Sequence, residues 1–341
     1  MALGPVMIDL DGPELSAAER ELLADPNVGG VILFRRNYVD PQQLQALIGA
    51  IRDAAAPGVL IAVDQEGGRV QRLRAGFTPL PPAARLGALY DRDPARARGY
   101  AEQVGWLLAA ELRAVGIDFS FAPVLDLGQG ISDVIGDRAL HAEPAAVATL
   151  ATSLVRGMAR AGMAAVGKHF PGHGSVAADS HHECPVDERP LEQILERDAR
   201  PFAALVASGL PGIMPAHVRY AAVDDVPAGH SAVWLEQILR QRFGFTGALF
   251  SDDLSMAAVA GQPPGARGEA ALAAGCDMVL VCNDRPAAEA VIEHLGRAER
   301  PLSQVRLARM HGRGGAPGRE RLHRQKAWAE ACRIAEDLVA A

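Results

Sequence analysis

Eight short apolar runs, each followed by a longer amphipathic stretch, constrain this chain more than any other feature. The runs cover residues 6–10, 30–34, 59–64, 118–124, 164–169, 212–217, 248–251 and 278–282. Helical patterns alternate with them at 17–24, 41–55, 95–114, 145–161, 191–207, 232–242, 267–274 and 287–297. A strand that is apolar nearly throughout has both faces covered, as in a parallel sheet clothed with helices. Eight unbroken strand–helix repeats therefore predict an α/β fold, a (β/α)8 TIM barrel. A doubly wound open sheet is the alternative, but no Gly-x-Gly-x-x-Gly follows the first run. No linker divides the 341 residues, so residues 1–341 are expected to form a single domain. The stretch from about residue 302 is rich in Arg, His and Gly, then helical from roughly Glu320. It is expected to lie across the barrel exterior as a C-terminal tail.

Composition narrows the partners. The chain is 49% hydrophobic and 22% charged, ordinary for a soluble globular protein. A net charge of −7 leaves no electrostatic footprint for nucleic acid or an anionic membrane, so neither partner is expected. No apolar run is long enough to span a bilayer. The start shows no basic segment followed by a long apolar one, so no signal peptide is expected. Cys184, Cys276, Cys282 and Cys332 form no Cys-x-x-Cys, which predicts free thiols in a reduced, cytoplasmic setting. A monomer is the expected state.

Polar residues collect where the predicted strands end. Asp64 ends the third, Lys168 and His169 the fifth, and His217 the sixth; Asp252 and Asp253 follow the seventh, Asn283 and Asp284 the eighth. Barrel enzymes build their sites at that rim. The densest stretch is Lys168-His169-Phe170-Pro171-Gly172-His173-Gly174, continuing to Asp179-Ser180-His181. Asp179 lies two residues from His181, close enough for a carboxylate to orient an imidazole for proton transfer. His169 and His173 read equally as binding or structural groups. A metal site would suit His-x3-His on a helix, but Pro171 and Gly172 disfavour a helix there, so no metal is expected.

Two further motifs flank this one. In Asp64-Gln65-Glu66-Gly67-Gly68-Arg69-Val70-Gln71-Arg72, Asp64 can accept from sugar hydroxyls and Arg72 can donate through its fork; a plain Asp–Arg pair is the equal alternative. In Phe250-Ser251-Asp252-Asp253, consecutive residues are not expected to face the same way. Asp252 is assigned to chemistry, as a carboxylate able to attack an electrophilic carbon, and Asp253 to local structure, as a helix N-cap. Lys168 reads as a fixed cation that binds substrate or neutralises Asp252, in preference to a Schiff-base amine. Arg138, after Gly136-Asp137, says little alone.

These motifs, in this order, resemble glycoside hydrolase family 3, and most closely its short, single-domain bacterial β-N-acetylglucosaminidases of peptidoglycan recycling. The resemblance runs from about Met7 to Asn283. Leu140 stands where the family usually carries an aromatic, and the Pro/Gly-rich stretch 261–267 replaces a regular helical turn. The resemblance implies a (β/α)8 barrel, Asp252 as nucleophile, and His181 as acid/base oriented by Asp179. It implies that Asp64, Arg72, Arg138, Lys168 and His169 bind the N-acetylglucosamine unit of a small saccharide or muropeptide. No cofactor is implied. The expected activity is a retaining exo-β-N-acetylglucosaminidase; a β-glucosidase or other hydrolase on the same barrel, or a saccharide-binding protein, are the alternatives.

Overall fold

The computed structural model describes residues 3–178, 180, 183–296 and 300–341. Eight parallel strands close into a barrel: β1 (Val6–Ile8), β2 (Val28–Leu33), β3 (Leu60–Val63), β4 (Phe119–Ser120), β5 (Ala164–Phe170), β6 (Gly212–Pro215), β7 (Ala248–Asp253) and β8 (Met278–Val281). Their order around the barrel is their order in the chain, and β8 pairs with β1 to close it. This is the (β/α)8 barrel that the alternation of the sequence predicts. Inside it, Phe119, Phe121 and Phe250 meet with ring centroids 5.1 to 5.5 Å apart. β4 with its continuation and β7, three strands apart around the barrel, supply these rings, so they fill the interior rather than leave a channel.

Two register shifts interrupt the parallel pairing near the C-terminal rim. One lies between Lys168 and Phe170 where β5 pairs with β6, the other between Phe250 and Asp253 where β7 pairs with β8. Such irregularities re-aim side chains at a barrel rim.

Helices surround the strands largely as expected, with local differences. The 191–207 pattern is two helices, Leu191–Glu196 and Arg200–Ala207. The break presents Asp198 to Ser175 and Arg189, and Pro201 occupies the first turn of the second helix, where its missing N–H costs nothing. The helix expected at 267–274 begins earlier, at Pro264, again with proline in its first turn. Helix Ala84–Arg92 carries no expectation from the sequence. The C-terminal segment forms helices Pro301–Ala308, Arg319–His323 and Lys326–Ala340. The last of these docks on helix Pro94–Val115 through Trp328, whose indole N–H donates to Glu111 at 3.0 Å. Among the described residues no helix is long and apolar enough to cross a membrane.

Helices Pro94–Val115 and Pro144–Arg160 approach closely because each offers a glycine. A Cβ on Gly105 would stand 2.2 Å from the Leu154 carbonyl oxygen, and one on Gly157 would stand 2.0 Å from that of Glu102. Replacing Gly157 with Ala gains about 1 kcal/mol of helix propensity but overpacks a backbone contact, at a cost of about 1–3 kcal/mol. Gly157→Ala is therefore expected to lower the urea midpoint; an unchanged or higher midpoint would contradict the close-contact reading.

Candidate active site

At the C-terminal ends of the strands lies a cavity of about 420 Å³. Its apolar floor includes Ile32, Phe121, Met214 and Leu280, and its walls carry Asp64, Glu66, Arg72, Arg138, Lys168, His169, Asp252 and Asp253. All six of Asp64, Arg72, Arg138, Lys168, His169 and Asp252, which the sequence singles out, thus surround one space. Asn283 also lines it, whereas Asp284 turns away to cap helix Arg285–His294.

Ionic contacts organise one wall. After β3 the chain forms a tight hairpin, Gln65–Gly67 against Val70–Gln71. Gly67 has φ +124°, and a Cβ there would stand 2.3 Å from the Pro81 carbonyl oxygen, so the turn requires glycine. The hairpin places Glu66 beside Asp64. The Lys168 ammonium lies between them, 2.7 Å from Asp64 and 2.6 Å from Glu66. Arg138 grips Glu66 with two bonds of 2.8 Å, and Arg72 stands 3.6 Å from Asp64. Burial would lower the Lys168 pKa, but Asp64 and Glu66 outweigh it and hold the amine protonated. A protonated amine is no Schiff-base nucleophile, and the direct partners of Lys168 are Asp64 and Glu66. Burial would likewise raise Glu66, yet Lys168 and Arg138 keep it well below the usual carboxylate range. The sequence reading assigned Glu66 no role; its position beside Asp64 in a glycine hairpin was the available signal.

Asp126 is the second residue not anticipated. After β4 the chain continues alongside β5, with Leu125 N–H donating to the Lys168 carbonyl at 2.7 Å. Asp126 is thereby brought to His169, whose Nδ1 lies 2.6 Å from its carboxylate. His173 is buried as well, with Nε2 3.3 Å from the Ser180 hydroxyl.

Asp252 and Asp253 both border the cavity. Their bonding differs. Asp253 accepts from Ser255 N–H and O–H and from Cys282 N–H, an Asx turn rather than a helix N-cap, since the next α-helix starts at Pro264. Asp252 accepts from the Asp253 N–H at 2.8 Å and, among the described residues, from no other donor. Burial would raise its pKa, but His169, His217, that N–H and Lys168 hold it below its ordinary value. Burial instead pushes Asp253 up to about 6. His217 is fully buried, stacks on His230, and approaches the Asp253 carbonyl at 3.1 Å through Nε2.

The loop after β5 is held at its base. Tyr220 O–H donates to the Gly172 carbonyl at 2.8 Å, and Ser175 O–H donates to Asp198 at 2.5 Å. Asp179, His181 and His182 lie outside the described residues.

The His217–His230 pair has a consequence for stability. Burial, then repulsion from His217, lowers His230 to about 4 from 6.5. Below pH 6.5 the unfolded chain gains a proton that the folded chain refuses until about pH 4. Stability is therefore lost as pH falls through that window, by up to about 3 kcal/mol from this group. Urea unfolding at pH 4.5 and 7.5 should show a smaller acid loss in His230→Gln than in the parent; an equal loss would remove His230 as its source.

Residues 5–310 match the Glycosyl hydrolase family 3 N terminal domain. A curated relative named Beta-hexosaminidase, from Alkalilimnicola ehrlichii, is 55% identical over 334 residues, covering 98% of this chain and 96% of that protein. Another of that name, from Thioalkalivibrio sulfidiphilus, is 57% identical over 317 residues, covering 92% and 91%. The crystal structure of NagZ from Neisseria gonorrhoeae in complex with N-trifluoroacetyl-D-glucosamine is similar with a TM-score of 0.94 at 42% identity, covering 99% of each chain. With its barrel matched from end to end, the chain belongs to glycosyl hydrolase family 3 and is a glycoside hydrolase.

Proposed function

We propose that this protein is a retaining, exo-acting β-N-acetylhexosaminidase that removes terminal N-acetylglucosamine from peptidoglycan-derived muropeptides. One observation carries the chemistry: an ionised carboxylate, Asp252, which among the described residues accepts from one N–H, faces a cavity whose opposite wall is a fixed array of donors and acceptors. The full-length likeness to β-hexosaminidases supports the substrate class. Asp64, Arg72, Arg138, Lys168 and His169 bind the sugar hydroxyls. An Asp252 oxygen attacks the anomeric carbon while the glycosidic bond breaks, and the departing oxygen takes a proton from His181. Water then attacks the same carbon, returns a proton to His181, and frees Asp252 with configuration retained. Asp179 orients His181 and stabilises its imidazolium. The chain acts as one catalytic domain in the cytoplasm, where Cys184, Cys276, Cys282 and Cys332 stay as thiols. No metal enters the scheme, so a chelator is expected to leave turnover unchanged.

Three outcomes check this reading. Proton NMR of the first product from an aryl N-acetyl-β-glucosaminide should show the β-anomer; an α-anomer, or equally fast cleavage of the plain glucoside, would contradict it. A mechanism-based fluorosugar should label Asp252, and labelling elsewhere would displace the nucleophile. His181→Ala should slow substrates with poor leaving groups far more than activated aryl glycosides, and equal losses would make His181 structural.

The ionic wall yields a separate test. Glu66→Gln leaves Lys168 and Arg138 with one anion fewer and weakens the cations' hold on their positions. A buried pair broken on one side costs about 3–5 kcal/mol of stability. A misplaced charge-assisted bond to substrate costs about 1.5–3 kcal/mol, or roughly 10-fold or more in kcat/KM. Parent-like kinetics and stability would remove Glu66 from the site.

A further inference from the structure

The barrel wall contains an Asp–His pair separate from residues 179 and 181. Asp126 is wholly buried. Its carboxylate accepts from the His173 N–H at 2.7 Å and from the His169 N–H at 3.2 Å, and it lies 2.6 Å from His169 Nδ1. Burial would raise its pKa, but the charge and hydrogen bond of His169 and the N–H of His173 hold it down. An ionised carboxylate only accepts hydrogen bonds, so Nδ1 carries the hydrogen. Nε2 is then the ring nitrogen left for a ligand, and His169 lines the cavity beside Lys168 and Asp252.

We propose that Asp126 is a positioning residue for sugar binding, which fixes the tautomer and ring orientation of His169 so that Nε2 meets a ring hydroxyl of the substrate. The arrangement parallels the way a carboxylate behind a metal-bound histidine sets that ring's tautomer and aim. It requires the short fourth strand. Because regular pairing of β4 stops at Ser120, residues 122–125 can follow β5 at their own register and deliver Asp126 behind His169. The inference rests on the hexosaminidase reading for its substrate.

A double-mutant cycle tests it, with 4-nitrophenyl N-acetyl-β-glucosaminide as the probe. Asp126→Asn and His169→Gln should each lower kcat/KM about 10- to 100-fold, the usual effect of losing a carboxylate that orients a histidine. If Asp126 acts through His169, the double variant is no worse than the weaker single variant, within about 2-fold. Multiplying losses would show that Asp126 only buttresses the loop, and the proposal would fall. Proton NMR supplies a readout that needs no turnover. The Nδ1–H of His169 should resonate far downfield in the parent and vanish in His169→Gln, whose Asp126 keeps both backbone donors. Absence of that resonance from the parent overturns the proposal even if Asp126→Asn does not fold. A parent that shows the resonance yet leaves the probe uncleaved would defeat the hexosaminidase reading instead.

Discussion

Lys168 is the ion on which the site depends. Its side chain is 3% exposed, and an unpaired ammonium at such a depth would lose its proton or unfold its surroundings. It persists because strand β3 and its hairpin bring two carboxylates within 2.7 Å. One of these is in turn held by Arg138 from a different loop. The two carboxylates follow β3, Lys168 lies on β5 and Arg138 follows β4, so the network forms only when these neighbouring strands are in register. Fold and site are thus mutually dependent.

Within this wall both carboxylates are engaged by cations, unlike Asp252. Asp64 and Glu66 are engaged by cations, and Asp253 by three donors. Asp252 accepts from its own following N–H. Hydrogen bonds that satisfy a carboxylate also reduce its capacity to attack, and the proposed chemistry needs one oxygen to remain available. The two adjacent aspartates divide these tasks: one secures the turn, and the other faces the cavity.

The eight strands were legible because a buried parallel strand leaves little room for polar residues, which therefore mark its end. Asp64, Lys168, His169 and Asp252 could be found for that reason. Asp126 was passed over although it stands two residues past the expected strand 118–124, because a sequence does not show that its carboxylate turns to His169 on the neighbouring strand. Glu66 was obscured by its neighbour, since a sequence does not show that a hairpin folds both carboxylates onto one ammonium. The break at 197–199 follows from Pro201, which cannot continue a helix, and the tertiary bonds of Asp198 hold it in place. Leu140, where the family usually carries an aromatic, is simply core at 1% exposure.

The three phenylalanine rings across the barrel have a topographic consequence. Phe121 is shared between that aromatic cluster and the cavity lining, so the space above it is closed at its base. The packing that stabilises the barrel centre therefore also closes the cavity from below, so a ligand must enter and leave by the same mouth, at the C-terminal ends of the strands.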